Sequence, residues 1–530
     1  MQTLNYNKIL CFAILFCVAS AVTSHAQTYS VIADFNPAYG ENPSGPLVQG
    51  TDGNFYGVTE TGGNTNSICP GPEGIIGAGC GSIFKVTPAG ELTTLYEFCS
   101  QANCVDGAYP MGSLMLATNG NFYGTTFIGG TANQGTVFQI TPSGQFTSIY
   151  SFCYFTNCTD GALPNGGLVQ GANGNLYGTT QIGGGGRTAN ICTSSYYDPR
   201  VGGCGTVFET TLAGNLITIY DFCSIEKCPD GAVPVTGLTL GTDGMFYGTT
   251  VGGGNTTSIC TEPGCGTIFR MSQSGKLTTM YRFCTLANEA NPCLSGQNPQ
   301  GTLVQAADGS LYGTAGTVFS ITSTGKLSLI RHGRFWPAVS GIIQATDGNF
   351  YATQPSGGAN TTCSEGSPCG DLIEFQSSGT FNFLYSFCAQ QDCADGALPA
   401  GGLMQATNGA LYGTTLFGGT GIEQGCNEHG NSGCGTVFSA SVELGPFVRT
   451  IFNFGQAPNE FRILGSDVRI LGNGLTGTTS VTFNGVAASF TVVSDTYIKT
   501  TVPAGATTGT IELTTPSGTL SSNVPFQVSH

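Results

Sequence analysis

One sequence of 13 residues occurs seven times in this chain with small changes, and this recurrence limits the possible folds more than any other feature. It first reads LVQGTDGNFYGVT, at 47–59. Each copy holds two short apolar runs joined by Asp-Gly or Asn-Gly, a strong signal for a β-hairpin. The seven copies lie at 47–59, 114–126, 168–180, 238–250, 303–315, 342–354 and 403–415. The chain is therefore a tandem array of one β-rich unit.

Two more strands follow each hairpin. In the first unit they read GSIFKVT (81–87) and ELTTLYEF (91–98). Four antiparallel strands per repeat predict propeller blades. The seventh unit runs into 443–446 without a fourth strand, whereas Tyr29–Phe35 has that strand's pattern. We therefore predict an all-β fold: a seven-bladed β-propeller that the N-terminal strand closes, which removes the open sheet edges.

The chain changes character at Pro446, where the cysteines and the repeated phrase stop. Short strands are predicted at 467–471, 480–483, 488–493, 497–502, 510–515 and 524–528. This pattern is typical of a small Ig-like β-sandwich. The predicted domains are a signal peptide at 1–26, the propeller at 27–445 and the sandwich at 446–530.

The signal peptide is inferred from Lys8, the apolar run 9–22 and the small-residue site Ser24-His25-Ala26. The run is too short to span a membrane, and we predict no transmembrane segment. The expected location is extracellular or at the cell surface, with the periplasm as the alternative. A net charge of −16 argues against nucleic acid as a partner.

Twenty of the 22 cysteines lie beyond the leader and form ten close pairs in sequence. A repeat that lacks one member of a pair lacks both, so we predict ten local disulfides, as suits an exported protein. Five pairs follow the first hairpin: Cys69/Cys80, Cys192/Cys204, Cys260/Cys265, Cys363/Cys369 and Cys426/Cys434. Five follow the fourth strand: Cys99/Cys104, Cys153/Cys158, Cys223/Cys228, Cys284/Cys293 and Cys388/Cys393. The rival interpretation is zinc binding, which the few histidines and the absence of an evident four-ligand spacing disfavour.

Both cysteine families fall on one predicted face, which we call the stapled face. It holds the loops between strands 2 and 3 and the connections between repeats, whereas the opposite face holds only tight turns. Length varies mainly in the stapled loops, and variable loops on a constant scaffold often carry binding. We expect the stapled face to be the working face.

Two sets of candidate site residues lie there. The Asp-Gly-Ala-x-Pro connections contain Asp106, Asp160, Asp230 and Asp395, which could ring a channel and hold Ca²⁺. The alternative is that each aspartate caps its own turn. No other cofactor is predicted.

The hairpin turns of the opposite face also carry acids. Asp52, Asp243, Asp308 and Asp347 stand where other repeats have asparagine, which indicates a structural role.

The fifth repeat departs most from the others and supplies the candidate ligand site Arg331, His332, Arg334 and Trp336. Arginine and tryptophan are favoured at binding sites, and tryptophan stacks on sugar rings. The alternative is that Trp336 fills space left by a shortened loop. No catalytic residue can be assigned, because His429 has no recognisable partner in the sequence.

The combination DGNFYGTT, GTVF and LTTLYxF with the DGAxPxGGL connections resembles the GloVer-type tandem repeat of bacterial exported proteins, over 29–442. Residues 470–518 resemble an IPT/TIG Ig-like domain. The resemblance implies a propeller-like array with no assigned activity. The expected role is binding of an extracellular glycan or protein. The alternatives are a polysaccharide lyase or hydrolase, and a structural envelope protein without a small ligand.

Overall fold

The computed structural model describes residues 28–63, 69–70, 79–185, 192, 201–257, 260, 264–285, 293, 295–331, 340–363, 366–420, 433–452 and 464–528. Over these ranges the chain is all-β, apart from short 3₁₀ turns such as Ala102–Cys104, Thr156–Cys158 and Gln391–Cys393. The predicted signal peptide lies outside the described residues. No helix in the described ranges is long and apolar enough to cross a membrane.

Seven antiparallel sheets follow the seven copies of the phrase, and we number them 1 to 7. Sheet 1 is Val48–Gln49, Phe55–Thr61, Ser82–Val86 and Leu92–Glu97, with Glu41–Pro43 added beside Phe55–Thr61. Sheet 2 is Met115–Leu116, Phe122–Thr126, Thr136–Ile140 and Phe146–Ser151; sheet 3 is Val169–Gln170, Leu176–Thr180, Thr206–Thr210 and Leu216–Asp221. Sheet 4 is Thr239–Leu240, Phe246–Thr250, Thr267–Met271 and Leu277–Arg282; sheet 5 is Val304–Gln305, Leu311–Thr314, Val318–Ile321 and Leu327–Arg331. Sheet 6 is Ser340–Gln344, Phe350–Gln354, Asp371–Phe375 and Phe381–Ser386.

Sheet 7 takes its fourth strand from the start of the described chain. Its strands are Met404–Gln405, Leu411–Thr415, Thr436–Ser441 and Thr28–Asp34. Thr28–Asp34 pairs antiparallel with Thr436–Ser441. The Tyr29 ring stacks on Tyr385 of sheet 6 at 3.9 Å, which matches the stack of Phe146 on Tyr96 at 3.8 Å between sheets 1 and 2. The strand therefore occupies the position that an ordinary fourth strand has elsewhere.

Successive sheets pack through one repeated aromatic contact. The phenylalanine after the fourth strand of one sheet meets the phenylalanine in the third strand of the next, edge to face. These pairs are Phe98–Phe138, Phe152–Phe208, Phe222–Phe269, Phe283–Phe319, Phe387–Phe438 and Phe35–Phe84. The last pair joins sheet 7 to sheet 1. Six of the seven junctions thus share one contact. Sheets 5 and 6 lack both phenylalanines in sequence, because Ile373 stands at the third-strand position and Gly333 at the position after the fourth strand.

The repeated glycine of the second strand makes room for that third-strand phenylalanine. Gly178 pairs across the sheet with Phe208, and a Cβ on Gly178 would lie 2.5 Å from Phe208 Cζ. Sheet 6 alone has Ala352 in place of the glycine, and there the partner is the smaller Ile373. The two positions therefore change together, as close packing requires.

The last part of the chain forms two four-stranded sheets, as the β-sandwich prediction requires. One is Arg449–Phe452, Asp467–Leu471, Tyr497–Thr501 and Phe490–Ser494; the other is Val486–Ala487, Ser480–Phe483, Ile511–Thr515 and Gly518–Ser521. The predicted strand at 524–528 is wrong, because only a single bridge, between Gly509 and Phe526, forms there. The final strand of the described chain is instead Gly518–Ser521, which was not among the predicted strands.

These C-terminal sheets contact the side of the repeat sheets that carries the hairpin turns. The Thr496 hydroxyl donates to the Thr51 carbonyl at 2.8 Å, beside the turn at Asp52. Arg449 donates to the Gln405 carbonyl at 2.8 Å. The C-terminal sheets thus lie on the side opposite to the stapled face.

Candidate binding site

The connections between repeats share one backbone framework. In the first, the Cys99 amide donates to the Gly107 carbonyl and the Gly107 amide donates to the Cys104 carbonyl, at 3.3 and 2.9 Å. The same two bonds recur in the connections that begin at Cys153, Cys223 and Cys388. Gly107 has a φ of +103°, and a Cβ there would lie 2.4 Å from Thr126 Oγ1, so glycine is required. This framework presents different side chains from a constant backbone.

Nine of the ten predicted cysteine pairs are disulfide-bonded in the structure. The tenth includes Cys426, which lies outside the described residues, and Cys434 is disulfide-bonded. Each described bond closes a short loop, of 5 to 12 residues in sequence separation. Closure of such loops stabilises the fold by about 2 to 3 kcal/mol per bond in the chain-entropy model. The stapled face is therefore held rigid loop by loop.

The four aspartates of the connections lie apart, each buried in its own repeat. Asp106 Oδ2 accepts from the Tyr96 hydroxyl at 2.8 Å and from the Ser100 amide at 3.0 Å. Asp160, Asp230 and Asp395 accept the equivalent pair of bonds from the tyrosine ten residues earlier and from the residue after the first cysteine. Among the described residues no three carboxylates lie close enough together to hold one metal ion, and the turn-capping alternative fits the geometry.

Burial and the neighbouring carboxylate raise the pKa of these tyrosines. Desolvation, and to a smaller degree Asp106, raise the pKa of Tyr96 to about 12. Desolvation and Asp160 raise the pKa of Tyr150 further in the same direction. Both phenols stay protonated at neutral pH and remain donors to the aspartates.

We expect Asp106→Ala to lower the free energy of unfolding by about 2 kcal/mol, because it leaves the Tyr96 hydroxyl and the Ser100 amide without their acceptor. Urea unfolding with and without added Ca²⁺ measures the loss. Equal losses in both conditions are expected from a turn cap. A loss that appears only when Ca²⁺ is present would instead show that the aspartates bind a cation.

The hairpin acids have the structural role that their exchange with asparagine suggested. Asp52 Oδ2 accepts from the Tyr56 hydroxyl at 2.8 Å. In the second repeat the direction reverses: Asn119 donates to the Tyr123 hydroxyl, which donates in turn to Gln139 at 2.7 Å. Either residue type completes the turn, so charge is not needed there.

Only one member of the predicted ligand site in the fifth repeat is described. The Arg331 guanidinium lies 4.5 Å from the centre of the Phe381 ring in sheet 6, which is cation–π distance. His332, Arg334 and Trp336 lie outside the described residues, as does His429. The grouping of these side chains stays a prediction.

The structure brings together a second set of side chains on the stapled face, which the sequence did not single out. Tyr154 and Phe155 follow Cys153 in the second connection, and they are 74% and 53% exposed. Their rings meet edge to face at 5.2 Å. Asp160 fixes their backbone, since its carboxylate accepts from both amides, at 3.0 and 3.4 Å. Two large aromatic side chains are thus held in water on a rigid loop.

Phe155 lines an open groove of about 400 Å³ between this connection and the fourth strand of sheet 3. The opposite wall is Leu216, Ile217 and Thr218, and Ile217 is 58% exposed. The Thr218 hydroxyl donates to the Thr159 carbonyl at 3.3 Å and joins the two walls. We call Tyr154, Phe155 and these lining residues the aromatic groove.

The other repeats serve as an internal reference for the aromatic groove. Residues at the positions of Tyr154 and Phe155 are Ser100 and Gln101, Ser224 and Ile225, Thr285 and Leu286, and Ala389 and Gln390. Residues at the position of Ile217 are Thr93, Thr147, Thr278, Ser328 and Asn382, by strand register. Phe155 and Ile217 therefore line one groove, with Tyr154 against Phe155, at a junction where the repeat otherwise uses mainly polar side chains. An alignment of the repeats with one another would have revealed the substitutions, but not that they meet.

Two family models match the chain. Residues 18–192 match the Gloeobacter/Verrucomicrobia repeat, and residues 457–528 match the IPT/TIG domain. These matches confirm the resemblance drawn from the sequence. No curated protein matches the chain.

Several solved structures are similar in fold. A streptogramin B lyase shares 15% identity at a TM-score of 0.47, over 78% of this chain and 97% of that one. A virginiamycin B lyase from Staphylococcus aureus shares 13% identity at 0.47, over 78% and 99%. A fungal alcohol oxidase in complex with copper shares 11% identity at 0.46, over 95% and 99%. Similarities of this size carry no information about the chemistry of this chain.

Proposed function

We propose that this chain, in which a Gloeobacter/Verrucomicrobia repeat array precedes an IPT/TIG domain, is an exported binding protein whose aromatic groove takes a neutral glycan. In this proposal residues 1–26 are removed on export. Residues 27–445 form a closed seven-bladed ring, and 446–530 form the Ig-like domain. The protein then acts outside the cytoplasm, in keeping with its many disulfides.

Ring closure is supported by the contacts of sheet 7 with sheet 1. Besides the Phe35–Phe84 pair, the Gln49 side chain donates to the Thr407 hydroxyl and accepts from the Thr407 amide, at 3.1 and 3.0 Å. Other first-strand glutamines act in the same way. The side-chain oxygens of Gln170, Gln305 and Gln405 each accept from a backbone amide of the preceding repeat. The junction of the last and first sheets is thus built like the others.

The observation that carries the glycan proposal is a groove lined by Phe155 and Ile217, with the exposed Tyr154 ring packed against Phe155. Aromatic faces bind the apolar faces of sugar rings, and a Tyr hydroxyl adds a polar contact at the edge. The one charged residue that lines the groove is Asp160, which is itself buried, on a chain with a net charge of −16. This sign opposes polyanionic glycans, so a neutral glycan is the better match.

The test is a glycan-array screen of the mature protein beside a variant that carries Tyr154→Ser and Phe155→Gln. These are the residues of the first connection, Ser100 and Gln101, so the loop framework is kept. Loss of two aromatic anchors is expected to weaken binding about 30-fold or more, from a hot-spot contribution of about 2 kcal/mol. Ile225→Gln, a matched change in the next connection, is expected to leave affinity unchanged.

Other outcomes would place the site elsewhere or indicate a different function. Binding that survives the groove variant but is lost on Trp336→Ala with Arg334→Ala would place the site in the fifth repeat, as the sequence suggested. Turnover of a bound polysaccharide would indicate a lyase or hydrolase instead of a binding protein. A folded protein that binds no glycan would contradict the proposal and favour a protein partner.

A further inference from the structure

The disulfides of the stapled face lie next to one another in pairs. In sheet 6 the sulfur atoms of Cys363, Cys369, Cys388 and Cys393 all lie within 4.8 Å of one another. These four belong to two disulfides from two different loops. Three such sulfurs cluster in each of three further sheets: Cys80, Cys99 and Cys104; Cys204, Cys223 and Cys228; Cys260, Cys265 and Cys284. The fourth member in each case is the disulfide partner Cys69, Cys192 or Cys293.

A constant spacing produces these clusters. The second cysteine of the loop pair and the first cysteine of the connection are always 19 positions apart, at 80 and 99, 204 and 223, 265 and 284, and 369 and 388. The third strand, its turn and the fourth strand fill that interval. Because these two strands are antiparallel neighbours, the interval returns the chain to the same end of the sheet. Two cysteine pairs therefore meet wherever a repeat has both.

The backbone at the second cysteine of the loop pair does not depend on the loop disulfide. The Cys369 carbonyl accepts from the Leu398 amide at 2.8 Å, and the Cys80 carbonyl accepts from the Tyr109 amide at 2.9 Å. Sheet 2 lacks the loop pair and has Gln134 at this position, yet the Gln134 carbonyl accepts from the Leu163 amide at 2.9 Å. The main chain thus makes the same bond with and without the loop pair, in a repeat that keeps its connection disulfide Cys153–Cys158.

The distances suit a tetrahedral thiolate site. Zn–S bonds of about 2.3 Å place the sulfurs of a tetrahedron about 3.8 Å apart. Cys260 Sγ and Cys284 Sγ, which belong to different disulfides, are 3.6 Å apart. The Thr362 hydroxyl lies 3.0 Å from Cys388 Sγ, where it can donate to a thiolate as an outer-shell partner.

We propose that each four-cysteine cluster is a convertible site, which holds two disulfides when oxidised and one thiophilic divalent cation such as Zn²⁺ when reduced. Two molecules of a dithiol reductant give two electrons each to the two disulfides, become cyclic disulfides, and leave four protein thiols. The four thiols then lose four protons and bind one Zn²⁺ through four sulfur atoms. The cation thereby replaces the two cross-links that reduction removed.

The test counts zinc on the reduced mature protein. The chain is reduced with excess dithiothreitol, freed of reductant by gel filtration without oxygen, incubated with ZnCl₂, desalted, and measured by elemental analysis. Four ions per chain are expected, one for each of the four clusters. The oxidised protein is expected to retain none. Because reduction can itself unfold the chain, the thermal transition is recorded with and without Zn²⁺, and zinc is expected to restore it.

Two double variants separate a four-cysteine site from scattered thiol binding. Cys388→Ser with Cys393→Ser removes half of the sheet 6 cluster and is expected to lower the zinc content by one ion. Cys153→Ser with Cys158→Ser removes the single pair of sheet 2 and is expected to leave it unchanged. Equal zinc contents in the two variants, or a reduced protein that retains no zinc and stays unfolded, would overturn the proposal.

Discussion

Removal of residues 28–35 is expected to abolish the stable monomer: the truncated chain aggregates or unfolds at temperatures where the full mature chain is folded. The deletion takes away the fourth strand of sheet 7, with its six paired positions on Thr436–Ser441. It also removes Phe35, which is 1% exposed and packs on Phe84 of sheet 1. Thermal unfolding and light scattering measure the two effects.

The size of this effect follows from the two aromatic side chains that are lost. Tyr29 stacks on Tyr385, and Phe35 is buried between sheets 7 and 1. Truncation of a buried aromatic residue such as Phe35 costs about 3 to 5 kcal/mol, and Tyr29 is partly buried and adds a smaller loss. The sum is a large part of the stability of a typical domain, about 5 to 15 kcal/mol. The deletion also exposes the unpaired edge of Thr436–Ser441, and such edges pair with other chains.

Two controls distinguish the loss of ring closure from a nonspecific effect of shortening the chain. Tyr39→Ala, at a side chain that is 40% exposed just after the strand, is expected to cost less than about 1 kcal/mol. A synthetic peptide of residues 27–36 is expected to restore the folded monomer of the truncated chain, whereas a scrambled peptide is not. A truncated chain that melts like the full one would refute closure by this strand.

The repeat sheets could be predicted from the sequence because local signals and long-range packing agree in each unit. Asp-Gly and Asn-Gly mark the hairpins, and the recurrence of the same strand phrases in each unit identifies the strands that pair. The N-terminal strand could be assigned to sheet 7 because Tyr29–Phe35 matches a fourth strand and the seventh unit lacks one. Repetition supplied the contact information that a single β-unit does not carry.

The aromatic groove could not be predicted in the same way, since it depends on a contact between different repeats. Phe155 and Ile217 are 62 positions apart, and only the packing of the second connection on sheet 3 makes them neighbours. The four-cysteine clusters were missed for a related reason. The sequence shows each pair as a local loop. The constant spacing between the two pairs predicts their contact only once the third and fourth strands are known to bring the chain back to the same end of the sheet.

Gly178→Ala is expected to lower the free energy of unfolding by about 3 kcal/mol, at the upper end of the range for overpacking. The added methyl group would lie 2.5 Å from Phe208 Cζ and 2.8 Å from Leu168 Cδ2. Both neighbours are buried side chains in a closely packed junction, so neither can move without disturbing the adjoining sheet. Urea unfolding of the single variant measures the loss.

Sheet 6 shows how this loss can be recovered, because Ala352 is paired there with Ile373. We therefore expect the double variant Gly178→Ala, Phe208→Ile to be more stable than the sum of the two single changes predicts, by about 1 to 3 kcal/mol. The isoleucine gives up the Phe152 contact, so recovery is expected to be incomplete. Additive losses would show that glycine is required for a reason other than the ring it faces, and the paired change in sheet 6 would then need a different cause.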